Sequence, residues 1–152
     1  MFMFQVSMGR LMAAVAAVFL LTVAAGRSAE AVWTTDYEAA LKKAKAENKR
    51  VLLDFTGSDW CGWCIKLKEE VFDTTAFGNY AKDKLVLVEL DYPRGKAQTD
   101  EVKKQNAELA KKFKIRGYPT IIVVDGDGKV LGQTGYKPGG PYSYIQDLDK
   151  MK

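Results

Sequence analysis

One short run, Asp59-Trp60-Cys61-Gly62-Trp63-Cys64, holds the only two cysteines of the 152-residue chain. Thiols three residues apart stand one helical turn from each other, close enough to bridge or to act in succession on a partner's disulfide. The run follows an apolar stretch, Arg50 to Thr56, and opens a segment in which Ile65, Leu67, Val71 and Phe72 can wrap an amphipathic helix. A cysteine at a helix start meets unpaired N–H groups and the positive end of the helix dipole, which favour thiolate over thiol. Cys61 is therefore the candidate nucleophile. Cys64 is the candidate resolving thiol, able to attack a mixed disulfide at Cys61 and release the reduced client. Three other uses of the pair stay open. They are a structural disulfide, worth only about 2 kcal/mol for so small a loop, half of a zinc site, and a pair of inert buried thiols.

The chain has no histidine. That removes Ser-His and Cys-His nucleophile pairs, a histidine proton shuttle and histidine zinc ligands, so no metal site is expected and acid–base work falls to carboxylates, lysine, tyrosine or water. Asp54 is the candidate acid. It interrupts Val51-Leu52-Leu53-Asp54-Phe55, where a strand buried on both faces makes a carboxylate costly without a role or partner, and burial should raise its pKa. A surface or turn-capping aspartate is the plainer alternative. Trp60 and Trp63 flank Cys61 and offer aromatic surface to apolar segments of partly unfolded clients. Trp60 suits core packing equally well, whereas Trp63, between the cysteines, suits exposure. Asp59 is expected to oppose thiolate formation at Cys61, and Lys66 and Lys68 are expected in solvent.

The elements that must position these residues can be read from hydrophobic periodicity. Thr35 followed by Glu38 reads as a capping box ahead of a helix over 36–47, and 50–56 reads as a buried strand. The cysteine helix should run from Cys61 to near Gly78, with a second strand over 84–91 and a loop from Pro93 to Thr99. Val102, Asn106, Leu109, Ala110 and Phe113 share one helical stripe, and 120–125 is a third strand. Gly126, Asp127 and Gly128 turn it into an antiparallel partner over 129–136. Pro138 to Pro141 breaks the chain before a short closing helix from Tyr144 to about Met151. The order predicts a mixed sheet flanked by helices, with the helix-linked strands parallel and the last two antiparallel.

A chain of this length favours one domain, and 47% hydrophobic with 28% charged residues excludes a disordered or low-complexity polymer. The N-terminus carries Arg10 and then an uncharged run from Leu11 to Gly26, too short to span a bilayer comfortably, followed by the small residues of Ala29-Glu30-Ala31. Residues 1–31 are therefore expected to be a secretory signal peptide and residues 32–152 the mature domain. Gly26 is a second cleavage candidate, and an uncleaved membrane anchor is the alternative. The location implied is periplasmic or secreted. Losing Arg10, Arg27 and Glu30 lowers the net charge of +4 by one. The remaining lysines alternate with acids, as in Glu108 to Lys114, so a solvated face fits better than nucleic-acid binding. Four of the five methionines fall in the presequence, leaving only Met151. Nothing in the pattern indicates a heptad seam, so monomer is the default.

The strand, the motif DWCGWCIKLKEEVF and then IRGYPTIIVVD with its Gly-Asp-Gly hairpin resemble the thioredoxin superfamily over roughly Val32 to Lys152. Within it the chain is similar to exported bacterial thioredoxin-like proteins, and KEEVF to the C-terminal thioredoxin domain of transmembrane thiol reductases. The resemblance implies an α/β thioredoxin fold: a central mixed sheet of about four or five strands flanked by helices, with a C-terminal β-hairpin plus helix. It implies a cis Pro119 facing the cysteines, with the backbone of Tyr118 pairing an extended client; a trans proline starting an edge strand is the alternative. It also makes Asp54 the counterpart of the buried acid that assists proton transfer from the resolving cysteine, although Asp54 stands one residue further from Cys61 than in the family pattern. The function implied is an exported thiol–disulfide oxidoreductase with a redox-active Cys61–Cys64 disulfide and no other cofactor. Gly62 and Trp63 lack the histidine of strongly oxidising members, which leans the direction to reduction of disulfide-containing clients, with a membrane thiol reductase as electron donor. A disulfide oxidase or isomerase, or a non-catalytic thioredoxin-fold binding module, is the alternative.

Overall fold

Val51 to Thr56 is buried throughout, so strand β2 (Arg50–Thr56) needs cover on both faces and a neighbour on both edges. The computed structural model, which describes residues 29–152, supplies both. The sheet has five strands in the order β1-β3-β2-β4-β5, where β1 is Trp33–Thr34, β3 Leu85–Asp91, β4 Thr120–Val124 and β5 Val130–Thr134. β1, β3 and β2 are parallel, β4 runs antiparallel to β2, and β5 antiparallel to β4. Because side chains alternate along a strand, β2 feeds two cores. Val51, Leu53 and Phe55 pack with helices α1 (Tyr37–Glu47) and α4 (Asp100–Lys112). Leu52 packs with α2 (Gly62–Leu67) and the turn after it, α3 (Thr75–Lys84) and α5 (Gly140–Asp149). The expected mixed sheet, C-terminal hairpin and closing helix are all present.

Several boundaries differ from expectation for identifiable reasons. Asp36, not Thr35, caps α1, its carboxylate accepting from Ala39 N–H at 2.9 Å while Thr34 Oγ1 accepts from Asp36 N–H. The cysteine helix does not run unbroken to Gly78. After Leu67 it widens into one π-helical turn, Lys68–Phe72, and stops at Asp73; Thr74 then caps α3, which continues to Lys84. Gly78 lies inside α3, where a Cβ would stand 1.8 Å from the Ala29 carbonyl oxygen, so it is a close-approach glycine rather than a helix end. Pro141 does not break the chain but enters the first turn of α5, where its missing N–H is no loss. The two-residue β1 is too short for periodicity to reveal.

The strand that follows α4 is also not parallel to its neighbour. β3 leaves the sheet at Asp91 beside Thr56, and β4 enters at Thr120 beside Phe55. The connection thus returns to the end of the sheet it left, and β4 must run backwards. Of the signal-peptide segment expected over 1–31, residues 1–28 lie outside the described residues, including Arg10, the apolar run and Gly26.

Arg50 locks the far end of the fold. Its guanidinium donates to the Leu148 and Met151 carbonyls at 2.6 and 2.8 Å and to Tyr80 Oη at 2.7 Å, joining β2, α3 and the end of α5. Leu148 lies in the last turn of α5 and Met151 just past its end, where helix carbonyls run short of donors, so the guanidinium adds to the Met151 N–H that Leu148 already accepts. Arg50→Ala should lower unfolding free energy by about 2–3 kcal/mol in urea titration, with Arg50→Lys recovering only part because one ammonium cannot span three acceptors. A loss below about 0.5 kcal/mol would contradict this role.

Candidate active site

The registers that build the sheet also deliver three chain segments to one end of it: the end of β2, the end of β3 and the start of β4. The chain leaves β2 through a tight turn in which Trp60 and Cys61 N–H both donate to the Gly57 carbonyl, at 3.2 and 2.9 Å. A side chain at Gly57 would collide with the Trp60 indole, 2.4 Å from an added Cβ, so glycine is what lets the ring lie across the turn. Strand alternation puts Asp54 in phase with Leu52, on the face covered by α2, α3 and α5.

Cys61 is the N-cap of α2, and its Sγ accepts the Cys64 N–H at 3.2 Å. An unpaired helix donor thus points at the first sulfur, where it would stabilise a thiolate. The two cysteines are bonded to each other and both are nearly buried. Asp54 is buried as well, and its Oδ1 has no hydrogen-bond partner among the described residues. Burial first, then the charges of Glu89 and Asp91, push its pKa up to about 8, with Lys68 opposing. The expectation of a buried, perturbed carboxyl is met. A carboxylic acid there can hold a proton at neutral pH.

The aromatic residues divide into two groups. Trp60 is half-buried: Nε1 donates to the Tyr92 carbonyl at 2.8 Å, the ring meets Tyr118 edge-on at 5.8 Å, and the Arg94 guanidinium lies 4.1 Å above it. Trp63 is 57% exposed and packs at a tilt against Tyr136, ring centroids 5.0 Å apart, with Lys66 Nζ 5.5 Å from both rings. Tyr136 in turn donates to Glu70 Oε2 at 2.8 Å. The Tyr118–Pro119 bond is cis, and Thr120 beyond it pairs with Phe55. The motif and the proline loop are therefore joined through the Trp60–Tyr118 contact, with both Tyr118 and Pro119 half-buried.

Asp59 does not stand as an unscreened charge beside Cys61. Its carboxylate accepts the Arg94 N–H at 3.0 Å and the Gly95 N–H at 2.7 Å, bonds that hold its pKa low and direct its charge into the β3–α4 loop. Lys66 and Lys68 are exposed, but neither is idle: Lys66 covers the aromatic pair and Lys68 pairs with Asp73. Sequence reasoning missed Arg94, Tyr92, Tyr136 and the acids Glu89 and Asp91. Only the last two left a signal, as acids at alternate positions inside Leu85-Val86-Leu87-Val88-Glu89-Leu90-Asp91.

A family model described as a thioredoxin-like domain matches residues 37–149. The chain belongs to that family. Among its relatives, the disulfide bond reductase DsbH of Chlamydia pneumoniae is 37% identical over 112 residues, covering 74% of this chain and 68% of DsbH. The thioredoxin-related protein DsbJ of the same organism is 32% identical over 127 residues, 79% of this chain but 36% of DsbJ. The thiol:disulfide interchange protein DsbD of Actinobacillus pleuropneumoniae is 32% identical over 93 residues, 61% of this chain and 14% of DsbD. A solved DsbH oxidoreductase superimposes with a TM-score of 0.77 at 35% identity, covering 81% of this chain and 85% of that one. With Cys61 and Cys64 bridged at the head of α2, this thioredoxin-like chain is a thiol–disulfide oxidoreductase.

The buried acid makes a stability prediction whose sign is fixed. The unfolded chain releases the Asp54 proton near its ordinary value of 3.8 and the native chain only near 8. Between those limits the native state binds more protons, so stability falls as pH rises through the window. Wild-type unfolding free energy should decline from pH 4 to pH 8, and Asp54→Asn should flatten most of that slope in urea titrations of the oxidised protein. Equal slopes for the two proteins would show that Asp54 is not perturbed by the fold.

Proposed function

We propose that this protein is an exported thiol–disulfide oxidoreductase that reduces disulfides of client proteins, with Cys61 as attacking and Cys64 as resolving thiol. The observation that carries the assignment is the Cys61 sulfur at the N-cap of α2, accepting the Cys64 N–H and bonded to the Cys64 sulfur. In the reducing direction the Cys61 thiolate attacks one sulfur of the client disulfide, the client S–S bond breaks, and one client thiolate leaves. Cys64 then gives its proton to the Asp54 carboxylate and attacks Cys61 Sγ. The mixed disulfide breaks, the second client sulfur leaves as thiolate, and Cys61–Cys64 is oxidised by two electrons.

A reduced donor dithiol restores the pair by the same steps in reverse, returning the proton from Asp54 to Cys64. A membrane thiol reductase fits this part, because an exported compartment lacks the cytosolic reducing pool and a segment of DsbD is related to this chain. The reducing direction is supported by kinship with a disulfide bond reductase over most of the domain. It is supported further by Gly62 and Trp63, which bring no histidine to stabilise the reduced thiolate. Export rests on the charged start and apolar run within residues 1–31, read as a signal peptide, and the location proposed is periplasmic or secreted. Among the described residues no helix is long and apolar enough to cross a membrane.

Client docking uses the rim around Cys61. Trp60 and Tyr118 form one side and Trp63 with Tyr136 the other, leaving a site for an apolar segment whose backbone aligns with Tyr118 ahead of the cis Pro119. Such a rim suits partly unfolded proteins rather than one folded surface.

The exchange order is tested by two substitutions. Cys61→Ser should abolish reduction of insulin disulfides, while Cys64→Ser should accumulate a mixed disulfide with client proteins that dithiothreitol releases, seen as a mass shift on non-reducing gels. Full turnover by Cys61→Ser, or no trapped client with Cys64→Ser, would refute the assigned roles.

A further inference from the structure

Two acids of β3 flank Asp54 across the sheet. Along β3 the side chains alternate: Val86, Val88 and Leu90 go to the α1–α4 side, while Leu87, and with it Glu89 and Asp91, go to the α2–α3–α5 side. In the parallel register Glu89 stands directly beside Asp54 and Asp91 beside Thr56. Adjacent strands lie about 4.8 Å apart, so three carboxyls gather at the end of the sheet that carries the cysteines.

They are not equivalent. Asp91 is held by Ser58, whose N–H and Oγ donate to its two oxygens at 2.9 and 2.5 Å, and Lys96 Nζ reaches the same Ser58 Oγ at 3.0 Å. Glu89 is half-buried, with no side-chain hydrogen bond or ion pair among the described residues. The other groups acting on Asp54 are few. Lys68, on the turn after α2, opposes the acids but is paired with Asp73 at the surface. Tyr144 of α5 donates its hydroxyl to the Gly135 carbonyl, and β4 presents only the apolar Ile121 in register.

We propose that Glu89 is a positioning residue of the exchange reaction, its carboxylate set beside Asp54 so that the Asp54 proton stays in place while Cys61–Cys64 is oxidised. The inference rests on the reading that Asp54 trades a proton with Cys64. A second negative charge next to a desolvated carboxyl makes ionising that carboxyl harder. The pKa of Glu89 is itself raised, first by burial and then by Asp91, with Lys96 and Lys68 opposing; being only half-buried where Asp54 is buried, Glu89 is the member of the pair that ionises first, and the two titrate as a coupled unit.

The consequence falls on the step that reduces this protein. A donor thiolate attacks Cys61 Sγ, the Cys61–Cys64 bond breaks, and its electron pair passes to Cys64 Sγ, which takes the proton held on Asp54. The donor's second thiolate then attacks the donor sulfur bound to Cys61, closing the donor disulfide and releasing Cys61 as thiolate. Without the Glu89 charge, Asp54 loses its proton at lower pH and the departing Cys64 sulfur has none to take.

The test uses the oxidised full chain, carbon-13 labelled at aspartate carboxyls, with dithiothreitol as the donor dithiol. Glu89→Gln should lower the Asp54 titration midpoint by about one pH unit. It should also move the alkaline fall of the reduction rate, corrected for the reagent's thiolate fraction, by the same amount. Glu89→Asp, which keeps the charge, should stay near wild type in both. An unmoved Asp54 midpoint in Glu89→Gln, with Asp54→Asn still slowing reduction, overturns the role of Glu89 alone. Reduction of Asp54→Asn at the wild-type rate across the pH range overturns both readings, since nothing is left for Glu89 to position.

Discussion

Strand β2 is gripped between a parallel neighbour and an antiparallel one, and the two registers are the constraint on which the site depends. Pairing with β3 sets Asp54 beside Glu89 and Thr56 beside Asp91, while pairing with β4 sets Phe55 beside Thr120. The cysteine motif, the acids under it and the cis-proline loop are therefore assembled by main-chain hydrogen bonds at one end of the sheet. A slip of one residue would turn Asp54 to the opposite core and carry the chemistry with it. The buried apolar residues on both faces of β2 forbid that slip, so the packing that stabilises the fold also aims the site.

What the fold holds there is unfavourable by its own standards. A carboxyl without a partner for one oxygen, placed among two further acids, weakens the native state at neutral pH. The rest of the molecule offsets it with two dense cores and with the Arg50 cluster at the far end of the sheet. A proton can be stored on a carboxyl at neutral pH only where water does not level its pKa, so the loss of stability and the capacity to hold that proton have one cause.

The fold class was legible because its strands are continuous apolar runs and its helices carry clear stripes. Cys61, Cys64 and Asp54 stood out as residue types that their local pattern does not explain, whereas the cis Pro119 was legible only through the family resemblance. Other features depended on contacts across the sequence and left no local trace. The π-helical turn after Leu67 and the restart at Thr74 lie inside one apolar periodicity, so the sequence reads as a single helix. The reversal of β4 follows from where a long connection re-enters the sheet. The seat of Trp60 depends on Gly57, Tyr92 and Arg94, and the orientation of Asp59 depends on two loop N–H groups; neither is visible before the loop folds against the motif.

The proposed function requires Cys61 and Cys64 to form a reversible dithiol–disulfide couple poised to donate electrons. Its most direct test is the redox equilibrium of the pair, measured against dithiothreitol or glutathione buffers by thiol alkylation, with Cys61→Ser as control. A reduction potential near about −270 mV, in the range of reducing thioredoxins, is the expected result. A potential near about −120 mV would reverse the direction of exchange, and a pair that stays oxidised at every donor ratio would contradict the couple altogether.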